Sequence, residues 1–306
     1  MEMKRVCIYL GSNCNLSCRY CMRDDKRVHS WPENIALSTS MKEFLQSRTA
    51  ENNEAVIVTG GEPLIYFNKI KDIHSHLHSC VHKKIITNGT LLTQEIVDYC
   101  NAHKVEINLS HDGLVTEHTR GVDVLKNEQL LSLIQQIKEL TISYVVTNIN
   151  CDIIANYEYI KNKLARNVYL TLSVISETGY NKELIDNFNY DLFQKTYLEY
   201  ILSENFTIPQ YYVKEERCKV RGLNLLVDGT VIDLTTLRPI SHCTVDNSFA
   251  EAVSAVKNIA QPCPLEKCYL KRYCCVQDQL KTEHMCKAEQ VLIKCSNFLI
   301  AGRKGE

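Results

Sequence analysis

Six short apolar runs recur along the first 175 positions: Val6–Leu10, Ala55–Thr59, Lys84–Thr87, Val105–Ser110, Ile142–Thr147 and Val168–Val174. They are rich in β-branched residues and nearly continuous in apolar character, the pattern of strands covered on both faces. Amphipathic stretches separate them. One begins at Ser40-Met41-Lys42-Glu43, a capping-box pattern. Others run over Phe67–Cys80, Thr93–His103, Val124–Leu140, Asp152–Leu164 and Asp191–Glu204. Six β/α units in succession predict an α/β fold with a parallel sheet and right-handed crossovers, either doubly wound or a partial barrel.

In such folds functional residues collect at the C-terminal ends of the strands. The motifs of this chain stand there. Cys14, Cys18 and Cys21 follow the first run, "TGGEP" (Thr59–Pro63) the second and "TNG" (Thr87–Gly89) the third. "SHDG" (Ser110–Gly113) follows the fourth and "TNINCD" (Thr147–Asp152) the fifth. After about residue 205 the rhythm stops. Leu223–Leu234 holds two short runs around Asp228-Gly229, a hairpin signal. The segment Ser248–Ile259 reads as a helix, and a cysteine-rich tail follows. The expected organisation is a barrel domain over 1–205 and a small metal-held module over 206–306.

The net charge of −1 argues against a general attraction to nucleic acid or anionic membrane, and no apolar run is long enough to span a bilayer. Lys4 and Arg5 precede a run too short for a secretory signal, so a cytoplasmic location is expected. Fifteen cysteines are then unexpected, and their number is odd. In a reducing compartment thiols gathered in two groups read as metal sites rather than disulfides. Three lie in the C-x3-C-x2-C motif and eight follow residue 217, whereas Cys7, Cys80 and Cys100 fall on strand or helix positions and read as buried packing thiols. Three thiolates plus His29 would suit zinc; alternatively, three thiolates hold a [4Fe–4S] cluster with one iron left open, since such a cluster ordinarily takes four cysteines.

The C-x3-C-x2-C triad with Tyr20 before its last cysteine, followed in register by Gly60-Gly61-Glu62-Pro63, resembles the radical S-adenosylmethionine (radical SAM) superfamily. "ITNGTLL" (Ile86–Leu92) and "LSHDGLVTEHTRG" (Leu109–Gly121) are similar to segments of the branch with a SPASM or twitch C-terminal domain, although His111 stands where that branch has an apolar residue. The resemblance implies a partial (β/α)6 TIM-type barrel. It also implies a [4Fe–4S] cluster on Cys14, Cys18 and Cys21 whose open iron chelates S-adenosylmethionine. Tyr20, Gly60, Gly61, Glu62, Asn88, Ser110 and Arg120 would then form the cofactor site. Glu62 would meet the ammonium group, Ser110 the ribose or methionyl part, and Arg120 the carboxylate.

For the tail, the same resemblance implies auxiliary clusters. Eight thiols match two of them, with Cys218, Cys243, Cys275 and Cys286 on the first and Cys263, Cys268, Cys274 and Cys295 on the second. A single auxiliary cluster or a structural zinc are the alternatives. Enzymes of this kind mostly modify peptides or proteins and draw electrons from a donor such as flavodoxin or ferredoxin. Thr244 occupies the place where sulfatase-activating members carry an Asp, and the end Arg303-Lys304-Gly305-Glu306 lacks the Gly-Gly of the pterin-forming branch. With the first strand expected at about residue 5, no winged-helix leader-binding domain is expected before it, and a ribosomally made precursor would be recognised by the mouth, the tail or a separate leader-binding protein. The tyrosines from Tyr190 to Tyr212 read either as a peptide groove or as ordinary packing. Cys151, at a strand end, is a candidate hydrogen donor if the reaction is epimerisation, or a small packing residue. Oxidative crosslinking needs no such donor and is the preferred outcome. A radical enzyme on a small metabolite is the second reading, and a non-catalytic Fe–S or zinc protein the third.

Overall fold

The computed structural model describes residues 5–21, 36–47, 55–175, 181–203, 222–232 and 239–244, with Lys287, Ala288, Val291, Leu292 and Cys295. The expected helix over Ser248–Ile259, together with His29, Cys218, Cys263, Cys268, Cys274, Cys275 and Cys286, lies outside the described residues.

The chain runs β1 (Arg5–Tyr9), α1 (Thr39–Gln46), β2 (Ala55–Thr59), α2 (Phe67–Ser75), β3 (His82–Thr87), α3 (Gln94–Ala102), β4 (Val105–Ser110), α4 (Thr116–Arg120), α5 (Glu128–Gln136), β5 (Leu140–Val146), α6 (Ile153–Leu164), β6 (Tyr169–Val174), α7 (Tyr190–Ser203), β7 (Gly222–Leu226), β8 (Thr230–Ile232) and β9 (Pro239–Thr244). The sheet order is β6-β5-β4-β3-β2-β1-β7-β8-β9. The strands from β6 through β7 are all parallel, and β8 and β9 turn back antiparallel. This is an open α/β barrel of six β/α units. β7 pairs in register with β1, so the sheet runs unbroken across the boundary expected near residue 206. The hairpin around Asp228-Gly229 forms as expected between β7 and β8.

Two of the expected amphipathic stretches open on a side-chain cap at their first residue. Thr93 accepts from Ile96 N at 3.3 Å to open α3, and Asp152 accepts from Ala155 N at 3.1 Å to open α6. The cap of α1 differs from expectation: Ser38, not Ser40, accepts from Met41 N at 3.1 Å. The Ser38 hydroxyl also donates to Asp228 O at 2.8 Å, so the tie to the β7–β8 turn selects the helix start. The stretch Val124–Leu140 is shorter as a helix than expected. Asn127 caps it by accepting from Leu130 N at 3.1 Å, and Leu140 already belongs to β5.

The strands are not apolar on both faces. Val6, Ile8, Val56, Val58, Ile85, Ile107, Leu109, Ile142, Tyr144, Leu170 and Leu172 are buried in the core that the described helices share with one face of the sheet. The alternate positions of β4, β5 and β6 are Glu106, Asn108 and Ser110, then Thr141, Ser143 and Val145, then Tyr169, Thr171 and Ser173, so the concave face is largely polar there. The aromatic residues of α7 belong to the core: Phe193, Tyr197 and Tyr200 are buried, and Tyr200 meets Tyr157 edge-on at 4.8 Å. Leu170 N donates to the Tyr200 hydroxyl at 2.9 Å. Over the described residues this stretch is packing rather than a groove, and Tyr211-Tyr212 lie outside them.

Candidate active site

The cysteine loop leaves the C-terminal end of β1 and lies directly against the loop after β2. Gly61 N donates to Gly11 O at 2.8 Å and Glu62 N to Asn13 O at 2.7 Å. A Cβ on Gly61 would stand 2.1 Å from Asn13 O, and Gly60 has φ of +150°. Glycine is therefore required here because two backbones touch. The sequence suggested that these glycines admit a ligand; what they admit in the structure is the cysteine loop itself. Within that loop Cys21 N donates to Cys18 O at 3.0 Å, and Arg19 N reaches across the mouth to Thr119 O at 2.8 Å.

Glu62 sits beneath this contact, 1% exposed. Its carboxylate accepts from Leu64 N at 3.0 Å, from the Thr87 hydroxyl at 2.7 Å and from Asn88 N at 2.8 Å. It thereby locks the loop after β3 to the loop after β2. Burial pushes its pKa up, partly offset by those three donors. A carboxylate has about four lone-pair sites, so capacity for an ammonium partner remains. Asn88 carries the brace on to the cysteines: its side-chain amide donates to Asn15 Oδ1 at 3.0 Å and lies 3.8 Å from Cys14 Sγ.

The opposite side of the mouth holds a buried charge pair that sequence reasoning missed. Arg120 donates from Nε to Asp112 Oδ2 at 2.9 Å and from Nη2 to Asp112 Oδ1 at 3.1 Å. Asp112 is fully buried and also accepts from the Tyr20 and Thr119 hydroxyls and from Val145 N. The Arg120 guanidinium stands 5.4 Å from the centre of the Tyr20 ring. Arg120, expected to meet a ligand carboxylate, thus already has a counter-ion, and Tyr20 is tied to the barrel wall. The signal was present as an Asp and an Arg eight positions apart around "HDGLVTEHTR", but their pairing requires the turn into α4. His111 is buried beside them, its Nε2 2.9 Å from Asp123 Oδ1, and Asp123 also accepts from the Tyr159 hydroxyl at 2.6 Å. Ser110 ends β4 half-buried on the concave face.

The three cysteines are half-buried at one mouth. Burial raises the Cys18 thiol to about 11; Arg120 opposes this, while Cys21, Asp112 and Cys14 add to it. The Cys18 thiol holds its proton until a metal's positive charge draws it off. Three free thiols on one short loop, with the Asn88 amide 3.8 Å from Cys14 Sγ, are the donors that a site-differentiated [4Fe–4S] cluster takes, although among the described residues no three such side chains are gathered closely enough to hold a metal ion as they stand. Cys151 is 4% exposed, and its thiol points 3.6 Å from Asn148 O. Cys295 is buried against α7, 3.6 Å from Gln194 O, and Cys243 stands in β9.

The Radical SAM superfamily profile matches residues 8–164. The chain is 28% identical over 190 residues to GTP 3′,8-cyclase of Helicobacter pylori, covering 58% of this chain and 57% of that protein. It is 25% identical over 170 residues to the cysteine-type anaerobic sulfatase-maturating enzyme of Clostridium perfringens, covering 51% and 45%. The chain spans about half the length of the curated relatives it matches. The structure of native anSMEcpe with bound AdoMet and Cp18Cys peptide superposes with a TM-score of 0.66 at 19% identity, over 97% of this chain and 98% of that one, a likeness of fold. With the cysteine loop, the Glu62 brace and the open barrel in their places, and with a profile that runs from β1 through α6, this chain belongs to the radical SAM superfamily.

Proposed function

We propose that this chain is a radical SAM oxidoreductase that modifies a peptide or protein, with oxidative crosslink formation as its outcome. The observation that carries the reading is the position of Cys14, Cys18 and Cys21 on the loop after β1, bonded through Gly11 and Asn13 to the Gly61-Glu62 loop at the same end of a barrel whose β4 to β6 carry polar residues on the concave face. In this reading the three thiolates hold the cluster, and Glu62 receives the ammonium of S-adenosylmethionine. Ser110 contacts its ribose or methionyl part, and Arg120, held by Asp112, its carboxylate. When bound, cluster and cofactor supply an electron and a sulfonium whose homolysis yields a 5′-deoxyadenosyl radical able to take hydrogen from an unactivated carbon. The residues of the chain bind, orient and exclude water.

Support for a peptide substrate comes from the fold likeness along nearly the whole chain to a protein solved with a peptide bound. Among the described residues Ile65, Leu114 and Ile149 are exposed, and all three lie in loops after strand ends, where apolar side chains of a substrate would meet them. The cyclase relative favours a second reading, a small metabolite. In either case the tail thiols serve as auxiliary cluster ligands in the partition given above, a flavodoxin or ferredoxin supplies the electron, and the enzyme works in the cytoplasm.

The test is anaerobic reconstitution with iron and sulfide, then dithionite and S-adenosylmethionine. Wild type should release 5′-deoxyadenosine and the triple variant Cys14→Ala/Cys18→Ala/Cys21→Ala none; continued release by the variant would overturn the assignment. Iron should be about twelve per chain and about eight in the triple variant, at four per cubane. About four in the variant would mean one auxiliary cluster.

A further inference from the structure

The concave face below the mouth has a chemistry of its own. A parallel barrel that closes as a packed core fills its inside with branched apolar residues. Here β4, β5 and β6 place Asn108, Thr141, Ser143, Thr171 and Ser173 on that face, with Val145 and Tyr169 beside them. They are neighbours by register: Asn108 pairs with Thr141, and Ser143 with Thr171. Asn108 forms the floor. It is buried, and its side-chain amide donates to the Thr141 hydroxyl at 2.7 Å and to the Thr171 hydroxyl at 3.4 Å. Above the floor Ser143 and Thr171 are half-buried, and Ser173 is exposed. The patch therefore grades from a closed hydrogen-bonded floor to an accessible lip.

Charge narrows what this patch can take. Among the described side chains of β3 to β6 on this face, the cationic groups are His82 and Lys84, and both are bound to Glu106 at 2.7 Å. Of the described arginines near the mouth, Arg120 is committed to Asp112, and Arg19 to Glu183 and His118. A triphosphate is held by cations that point at it, commonly arginine forks or a lysine. Neutral hydroxyls and an amide are instead the partners of amide N–H and C=O groups.

Resting on the peptide reading above, we infer that the patch of Asn108, Thr141, Ser143, Thr171 and Ser173 seats the uncharged main-chain or side-chain amides of a peptide segment inserted into the barrel. The hydroxyls of Ser143, Thr171 and Ser173 exchange hydrogen bonds with those amides, and Asn108 with Thr141 holds Thr171 in place from below. The five side chains of the patch are uncharged, which suits a peptide amide better than a phosphate.

The probe is a degenerate library of acetylated, amidated octapeptides, presented to immobilised holoenzyme with S-adenosylmethionine, with retained members read by mass spectrometry. GTP is presented in parallel. Wild type should enrich a subset of the library and leave GTP unbound. The double variant Ser143→Ala/Thr171→Val should lower that enrichment roughly thirtyfold, since each of the two lost hydrogen bonds is worth about 1 kcal/mol and about 1.4 kcal/mol is tenfold. Valine keeps the shape and strand preference of threonine, and Thr171→Ser should retain most of the enrichment, which separates a lost hydroxyl from a lost fold. Equal enrichment by the double variant would overturn the inference and leave the peptide reading standing. Retention of GTP with no peptide enriched by wild type would overturn both.

Discussion

On the β1–β3 side of the mouth the loops meet through backbone, whereas on the β4–β6 side they meet through buried charge. The first side joins Gly11, Asn13, Gly61 and Glu62 by main-chain hydrogen bonds, with the Glu62 carboxylate threaded between them. The second side joins Tyr20, Asp112, Thr119 and Arg120, with His111 and Asp123 behind. The cysteine loop bridges the two, held by Asn88 on one flank and by Tyr20 and Arg19 on the other. The lesson is that one flank is sensitive to added volume and the other to lost charge.

The largest effect expected from a single substitution is Asp112→Asn. It leaves the Arg120 guanidinium buried without its counter-ion, which costs about 3–5 kcal/mol. Urea unfolding of the metal-free chain checks this, and a loss under about 1 kcal/mol, the size of an exposed pair, would break the contrast. Gly61→Ala comes next. The new methyl meets a main-chain oxygen that has no side-chain freedom to move aside, and overpacking of this kind costs roughly 1–3 kcal/mol. Iron incorporation should fall with it, because the displaced loop carries Cys14. Unchanged melting and iron content would show that the two loops do not touch.

The flanks should also differ in the sign of their pH dependence. His111, the Tyr159 hydroxyl and Leu125 N hold Asp123 at about 2 in spite of burial, below its ordinary 3.8. Its contribution is therefore present above about 4 and is lost as pH falls toward about 2. Glu62 is shifted the other way, raised from 4.5 by burial, so its contribution is present below 4.5 and lost as pH rises through its folded value. In urea titrations of the metal-free chain between pH 2 and 7, Asp123→Asn should flatten the acid limb. Glu62→Gln should remove a slope of opposite sign at higher pH. Two variants that shift the curve in parallel would erase the distinction.

Cys151→Ala should have the smallest effect, about 1 kcal/mol, as expected of a buried thiol trimmed by one atom. The product formed in deuterated water should be two hydrogens lighter than substrate and unchanged by the variant, which is the outcome of oxidative crosslinking. Uptake of one solvent deuterium that disappears in the variant would instead make Cys151 a hydrogen donor.

The order of the six β/α units, the placing of each motif after a strand end, and the starts of the stretches at Thr93 and Asp152 were legible from the sequence. They rest on periodicity and on contacts between residues three or four apart, which a linear string displays directly. The family was legible for a related reason, because its cysteines and glycines lie close together in the chain. The two-faced character of the strands was not. Runs such as "EINLS" and "TISYVV" contain the alternation, but which half faces helices and which faces the barrel's inside depends on where the sheet curves and what covers it.

Long-range pairing decided the rest. Ser38 displaced Ser40 as a cap because the β7–β8 turn came within reach of its hydroxyl. Glu62 became a brace for Thr87 and Asn88, and Arg120 a partner for Asp112, because burial makes an unpaired charge or polar group too costly to keep. The sequence by itself determined the elements, the superfamily and the thiols at the mouth, since each is written in local spacing. Only the tertiary structure decided which side chains remain free to meet a ligand and which are spent on holding the mouth together, since that depends on residues brought together from distant parts of the chain by the closing of the sheet.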